Sequence, residues 1–210
     1  MRDFTDLTLL LDRSGSMESI RSDVVGGING FLKTQRDAPG YANFTLIQFD
    51  SVDPQEVVID SQIVTDVKDL TDADFTPRSY TPLYDALGRA IVSTGARLKD
   101  MSEDERPDKV VFVVLSDGDE NDSKEYTKSM VRLMIETQQE EFNWKFMFLG
   151  ADMDAFGEAG SIGIKASTTL SGTRAFVRQN LGMTGQSIAA YRTTNDGASL
   201  AYSDDDRAKA

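Results

Sequence analysis

The sequence contains no cysteine and no histidine. Without cysteine, the chain can form neither disulfides nor thiolate metal sites, and this fits a cytoplasmic location, which we expect. Without histidine, it lacks the imidazole that Ser-His-Asp and Cys-His nucleophile systems, His-Glu-x-x-His zinc sites and histidine proton shuttles require. The composition therefore excludes these classes of enzyme.

Basic residues and long apolar runs are also scarce. The chain has 22 Lys and Arg against 35 Asp and Glu, a formal net charge of −13, which disfavours binding to a phosphate backbone. The longest wholly apolar runs, such as 110–115, are far below the roughly 18–20 residues of a membrane helix, and no signal-peptide pattern is visible. We expect a soluble protein with neither nucleic acid nor membrane as a partner.

What is present is an alternation of short β-branched runs with longer amphipathic stretches, which is typical of βαβ units around a mainly parallel sheet. We predict strands near 6–11, 43–49, 56–62, 109–116, 145–150 and 164–167, and helices near 17–35, 82–99, 123–140, 153–159 and 173–190. The link after the second strand is too short for a helical crossover, so strands two and three should form an antiparallel hairpin with strand three at the edge.

The length of 210 residues fits one α/β domain with a tail. From Arg192 onward the sequence turns polar and small, and it ends in an acidic stretch. We therefore predict a domain over residues 1–191 and a poorly ordered C-terminal tail over 192–210.

Oxygen donors follow the first predicted strand. The mostly apolar run 7–11 ends in Asp12, and Ser14 and Ser16 come next, with one residue between each donor. Gly15 allows the backbone to turn sharply, so the three side chains can surround one point. Oxygen-only ligation suits Mg²⁺, Ca²⁺ or Mn²⁺ rather than zinc or copper.

Two later segments supply further donors. The buried run 110–115 leads to Asp117, and Thr81 lies in a loop just before a helix. If the first and fourth strands are neighbours, Asp12 and Asp117 meet at the topological switch point, where open α/β sheets bind ligands. Ser16 and Thr81 also lie where helix N-caps belong, but the conjunction of all five donors favours a metal site.

In this order, Asp12, Ser14, Ser16, Thr81 and Asp117 resemble the metal-ion-dependent adhesion site of the von Willebrand factor type A (vWA) domain family. The resemblance covers most of the chain. It implies a Rossmann-like three-layer α/β sandwich, in which helices cover both faces of a six-stranded, mostly parallel sheet with one antiparallel edge strand. The short frame is similar to stand-alone microbial members, some of them in tellurium-resistance-like settings.

The resemblance also implies a function. The five side chains would hold a divalent cation directly or through water, with Mg²⁺ as first choice and Ca²⁺ or Mn²⁺ as alternatives. One coordination position stays open for a Glu or Asp of a protein partner. The implied protein is a cation-dependent binding module and not an enzyme.

The alternative function is a Mg²⁺-dependent phosphatase resembling the haloacid dehalogenase family. Asp12 would be its nucleophile, with Asp117 or Asp122 as the second metal carboxylate. That family places its general acid two residues after the nucleophile, and this chain has Ser14 there, which cannot protonate a leaving group. A phosphoester assay with Mg²⁺ would separate the two functions.

Overall fold

The structure, a computed structural model, describes residues 3–194 and 196–210. Its centre is a sheet of six strands: β1 (Phe4–Asp12), β2 (Tyr41–Phe49), β3 (Glu56–Ile63), β4 (Lys109–Ser116), β5 (Lys145–Ala151) and β6 (Thr169–Gly172). Their order in the sheet is β3-β2-β1-β4-β5-β6. Adjacent strands pair in parallel except β2 and β3, which pair antiparallel at the edge. The predicted fold class, the edge hairpin and the central β1–β4 pair are confirmed.

Helices cover both faces of the sheet. They are α1 (Arg21–Asp37), α2 (Leu83–Asp100), α3 (Lys128–Glu141), α4 (Ala155–Ser161), α5 (Val177–Thr194) and α6 (Asp204–Arg207). The apolar faces of α1 and α5 share one core cluster, and those of α2, α3 and α4 share the other. In the part of the chain that the structure describes, no helix has the length and apolar character that a membrane crossing needs.

Strand β1 lies in the middle of the sheet, and Asp12 is the residue at its carboxyl end. Leu9 and Leu11 pack into the core with α1 and α5, whereas Leu10 packs into the opposite core. Successive side chains of a strand point to opposite faces, so a central parallel strand must be apolar on both faces to be buried there. The carboxyl ends of β1 and β4 thus meet at one edge of the sheet.

Two predicted elements are displaced in the structure. The strand predicted at 164–167 lies at Thr169–Gly172, because Leu170 pairs with Leu149 of β5 while Ile164 fills the opposite core from a loop. The helix predicted from 123 begins at Lys128, since the residues before it form a loop held by hydrogen bonds to Asp85.

The C-terminal segment predicted to be poorly ordered is folded over its described residues, 192–194 and 196–210, so this prediction is wrong there. Arg192 is buried and donates from Nη1 to the Gln35 carbonyl at 2.7 Å. Leu200 and Tyr202 are buried in the core with α1 and α5, and the Tyr202 hydroxyl lies 2.6 Å from Thr184 Oγ1. A few buried side chains are enough to fix a segment whose composition is polar.

Candidate metal centre

Asp12, the last residue of β1, is fully buried. Its Oδ1 accepts a hydrogen bond from Ser14 N at 2.7 Å, and its Oδ2 accepts one from Ser116 Oγ at 2.5 Å. Burial raises the pKa of Asp12 to about 6, although these hydrogen bonds act in the opposite direction. Ser116 was not among the predicted site residues, but its place at the end of β4, directly before Asp117, was a usable signal.

A chain of hydroxyl groups joins the ends of β1 and β4. Ser14 Oγ lies 3.0 Å from Ser16 Oγ, and Ser16 Oγ donates to Asp117 Oδ1 at 2.6 Å. Ser14 and Asp117 are buried, whereas Ser16 is exposed and faces the solvent side of the group. The structure therefore brings four of the five predicted residues together, while their role as metal ligands stays a prediction.

The fifth residue, Thr81, lies beside the same group. Its Oγ1 is 3.6 Å from the position that a Cβ would occupy on Gly118, the neighbour of Asp117. Thr81 is buried, and no hydrogen bond from another described residue reaches its hydroxyl. Thr81 thus keeps an oxygen available next to the Asp117 loop.

Asn121 holds Thr81 in this place. Thr81 N donates to Asn121 Oδ1 at 2.9 Å, and Asn121 N donates to the Thr81 carbonyl at 3.1 Å. Asn121 was not among the predicted site residues, because nothing local to residues 119–122 distinguishes it from an ordinary turn residue.

The loop that carries Asn121 is itself fixed by a buried carboxylate of α2. Asp85 accepts hydrogen bonds from the backbone N–H groups of Lys124, Glu125 and Tyr126 at 2.8–2.9 Å. The three bonds satisfy backbone donors that would otherwise need water. The acidic loop after β4 is therefore a fixed wall of the site.

A cluster of three charged side chains, Asp50, Arg13 and Arg78, connects the loop before Thr81 to the end of β1. Asp50 Oδ2 accepts from Arg13 Nε at 2.7 Å and from Arg78 Nε at 2.8 Å, and Arg78 N donates to the Arg13 carbonyl at 2.7 Å. Burial works against ionisation of Asp50, but the Arg78 hydrogen bond, backbone N–H donors and the Arg13 charge hold its pKa below the ordinary value. The loops on the β2 side are therefore fixed relative to Asp12.

Arg174, between β6 and α5, contacts the site from the opposite side. Its Nε and Nη2 donate to Asp117 Oδ2 at 3.0 and 2.7 Å. Arg174 is 57 positions from Asp117 in sequence, and no motif pointed to it.

The donor set fits a hard dication. It consists of two carboxylates and three hydroxyls, and the described residues contain no group of three or more acidic side chains that could hold a metal. Among the described residues, no Lys or Arg forms an ion pair with Asp12, whereas Arg13 and Arg78 pair with Asp50 and Arg174 pairs with Asp117. A buried carboxylate without a cationic partner is costly, so a cation at this point would offset its charge.

Comparison with known proteins bears on the fold. The sequence matches no protein-family model, and no curated protein matches it. A von Willebrand factor type A structure from Catenulispora acidiphila is similar, with 14% identity, a TM-score of 0.58, and coverage of 90% of this chain and 42% of that chain. The vWF domain of the type V pilus tip protein Mfa5 from Porphyromonas gingivalis has 11% identity, a TM-score of 0.61, and coverage of 91% and 97%.

A third similar structure is proximal thread matrix protein 1 from the mussel byssus with a zinc-occupied MIDAS motif. It has 13% identity and a TM-score of 0.57, covering 86% of this chain and 46% of that chain. The chain spans less than half the length of this protein and of the Catenulispora one. At such identities the likeness concerns the fold, which is that of von Willebrand factor type A domains.

Proposed function

We propose that the protein is a divalent-cation-dependent protein-binding module. Five side chains would hold the cation, with Mg²⁺ as first choice and Ca²⁺ or Mn²⁺ as alternatives: Asp12, Ser14, Ser16, Thr81 and Asp117. When bound, the cation supplies a position at which a Glu or Asp of a partner protein completes the coordination shell. The observation that carries the proposal is the continuous hydrogen-bonded chain from Asp12 through Ser14 and Ser16 to Asp117.

The residues of the site are held in advance of any ligand. Asp12 and Asp117 are fixed by hydrogen bonds, and Thr81 is fixed through Asn121. Pre-organised donors lose little conformational freedom on binding, and this favours affinity. Ser16 is exposed, so the group is open to a partner on its solvent side.

The similar proteins support this class of function. One of them carries zinc at its MIDAS motif, and another is the vWF domain of a pilus tip protein. These two similar structures support the binding of a divalent cation and an adhesive role. The choice of Mg²⁺ and of an acidic partner residue is our own inference. We also propose a cytoplasmic location, and cell fractionation would test it.

The burial of Asp12 disfavours the phosphatase alternative. A phosphoester is much larger than a cation and must reach the nucleophilic oxygen directly, yet Asp12 has no exposed surface. The position of the general acid is occupied by Ser14, whose hydroxyl cannot protonate a leaving group and lies 3.0 Å from Ser16 Oγ.

Isothermal titration with Mg²⁺ tests the proposal. We expect D12A and S14A to lose cation binding while their circular dichroism stays unchanged, because both side chains lie at the end of β1 and not in the apolar core. S19A is the matched control, since Ser19 is an exposed serine of the same turn. Unchanged cation affinity in both site variants would contradict the proposal.

Two further measurements test the partner and the reaction. For a partner found by affinity capture, replacement of its contacting Glu by Gln should abolish the metal-dependent part of binding. If that change has no effect while EDTA still dissociates the complex, the cation only braces the loops. Turnover of p-nitrophenyl phosphate with Mg²⁺, lost in D12A, would favour the phosphatase.

A further inference from the structure

Among the described residues, one ion pair involves a candidate metal ligand, and it joins Arg174 to Asp117. Both Nε and Nη2 donate to the same oxygen, Asp117 Oδ2, at 3.0 and 2.7 Å, while Asp117 Oδ1 accepts from Ser16. The Asp117 side chain has no exposed surface, whereas 35% of the Arg174 side chain is exposed. The guanidinium therefore lies at the rim of the site with part of its surface open to solvent.

The ends of β5 and β6 hold Arg174 in this position. Arg174 N donates to Asp152 Oδ1 at 3.3 Å, and Asp152 N donates to the Gly172 carbonyl at 2.8 Å. Arg174 Nη1 lies 3.8 Å from Asp152 Oδ2, a longer and more exposed contact than the one with Asp117. Solvent screens this outer pair, so Arg174 acts mainly on Asp117.

The charge of Arg174 changes the balance of the site. Two carboxylates alone would neutralise a dication, and a neutral site has little attraction for a third carboxylate. With Asp117 already paired to Arg174, the same dication would leave the inner group with a net positive charge. The protein has a net charge of −13 and repels an acidic partner at long range. A local positive charge at the site would attract the carboxylate of that partner at short range.

We propose that Arg174 is a specificity-determining residue of the cation site: by pairing with Asp117 it weakens cation binding and strengthens the binding of a partner carboxylate to the cation-bound protein. This inference rests on the proposed function. It identifies the partner group as a carboxylate, because a hydroxyl or amide ligand would gain little from the added charge.

Two titrations on the R174Q variant test the inference. The first measures Mg²⁺ affinity by isothermal titration. The second follows the binding of acetate to the Mn²⁺-bound protein by water-proton relaxation, with acetate as the carboxylate probe. We expect R174Q to bind Mg²⁺ about 3- to 10-fold more tightly, since a unit charge near the cation is removed, and to bind acetate about 3-fold more weakly.

R178Q is the matched control. Arg178 lies four residues after Arg174, in the first turn of α5, and has an exposed side chain that pairs with Asp23 at 3.5 Å instead of with Asp117. It should leave both affinities unchanged. R174K keeps the charge but loses the two-pronged geometry, so it should stay closer to the wild type than R174Q in both titrations.

Several outcomes would overturn the inference. If R174Q tightens Mg²⁺ binding but leaves acetate binding unchanged, Arg174 only competes with the cation. If both affinities fall together, or if R174K behaves as R174Q does, Arg174 has a structural role and its charge is irrelevant. A wild-type protein that shows no Asp12-dependent cation binding would overturn the proposed function itself, and that result is distinct from the others.

Discussion

Thr81 and Asn121 form a closed hydrogen-bonded pair, in which each residue donates its backbone N–H to an oxygen of the other, at 2.9 and 3.1 Å. Asn121 follows Asp117 in the loop after β4, so this pair couples the Thr81 loop to the Asp117 loop. If Thr81 is a ligand, its geometry therefore depends on a residue that does not touch the cation.

We predict that N121A lowers Mg²⁺ affinity about tenfold, the low end for the loss of an outer-shell partner of a metal ligand. The free energy of unfolding should fall by only about 1 kcal/mol, as for one lost hydrogen bond. Isothermal titration and urea denaturation measure the two effects. Q62A is the control, because the Gln62 side chain also makes a hydrogen bond to the backbone, donating from Nε2 to the Asp66 carbonyl at 3.2 Å, but lies on β3. Equal Mg²⁺ affinity in N121A and wild type would remove Thr81 from the ligand set.

The packing of α2 against the Asp117 loop predicts opposite effects for two glycines of one helix. A Cβ on Gly88 would overlap the ring of Tyr126, a residue whose backbone N–H is held by Asp85. A Cβ on Gly95 would meet no atom within 4 Å. G88A should destabilise the protein by about 1–3 kcal/mol through overpacking. G95A should stabilise it by about 0.5–1 kcal/mol, since alanine favours a helix more than glycine does. Thermal or urea unfolding of both variants checks this, and equal stabilities would contradict it.

The Asp50 cluster predicts a pH dependence of stability. The pKa of Asp50 is lower in the folded protein than in the unfolded chain, where an aspartate titrates near about 3.9. Its contribution is therefore fully present above about pH 4 and is lost as the pH falls through the lower folded value.

The wild type should accordingly exceed D50N in free energy of unfolding by a constant amount between about pH 5 and 7, with a difference that shrinks below about pH 4. Urea denaturation at a series of pH values measures this. D60N is the control, because Asp60 is an exposed carboxylate on β3. A difference that persists unchanged at pH 3 would show that Asp50 acts by packing alone.

The buried C-terminal segment predicts a large cost for Y202A. Tyr202 is 3% exposed and packs in the core with α1 and α5, so the truncation should cost about 3–5 kcal/mol. Y202F should lose only the bond to Thr184, about 1 kcal/mol. Y41A is the control, since Tyr41 is 72% exposed. If Y202A unfolds as the wild type does, the segment does not contribute to the core.

Features that depend on residues close together in the chain could be predicted from the sequence. The apolar run before Asp12 predicts a buried central strand, and the short link after β2 predicts the hairpin with β3, because burial and chain reach follow directly from composition and spacing. Asp12 and Asp117 could be placed at the same edge, since parallel neighbours end on the same side of a sheet.

Contacts between residues that are distant in the chain could not be predicted in this way. Arg174 pairs with Asp117 and Asn121 with Thr81 across 57 and 40 positions, and neither residue carries a local pattern. The displaced start of α3 has the same origin, because Asp85 of α2 holds the preceding backbone N–H groups in a loop.

The C-terminal segment shows the limit of composition most clearly. Its polar sequence predicts disorder because it has few apolar side chains to bury, but Leu200 and Tyr202 fill space beside α5 that the rest of the chain leaves open. Whether a few apolar side chains find such a space depends on the packed shape of the whole domain. Local sequence fixes which strands are buried and where their polar ends lie, whereas the partners of those polar ends follow from three-dimensional packing.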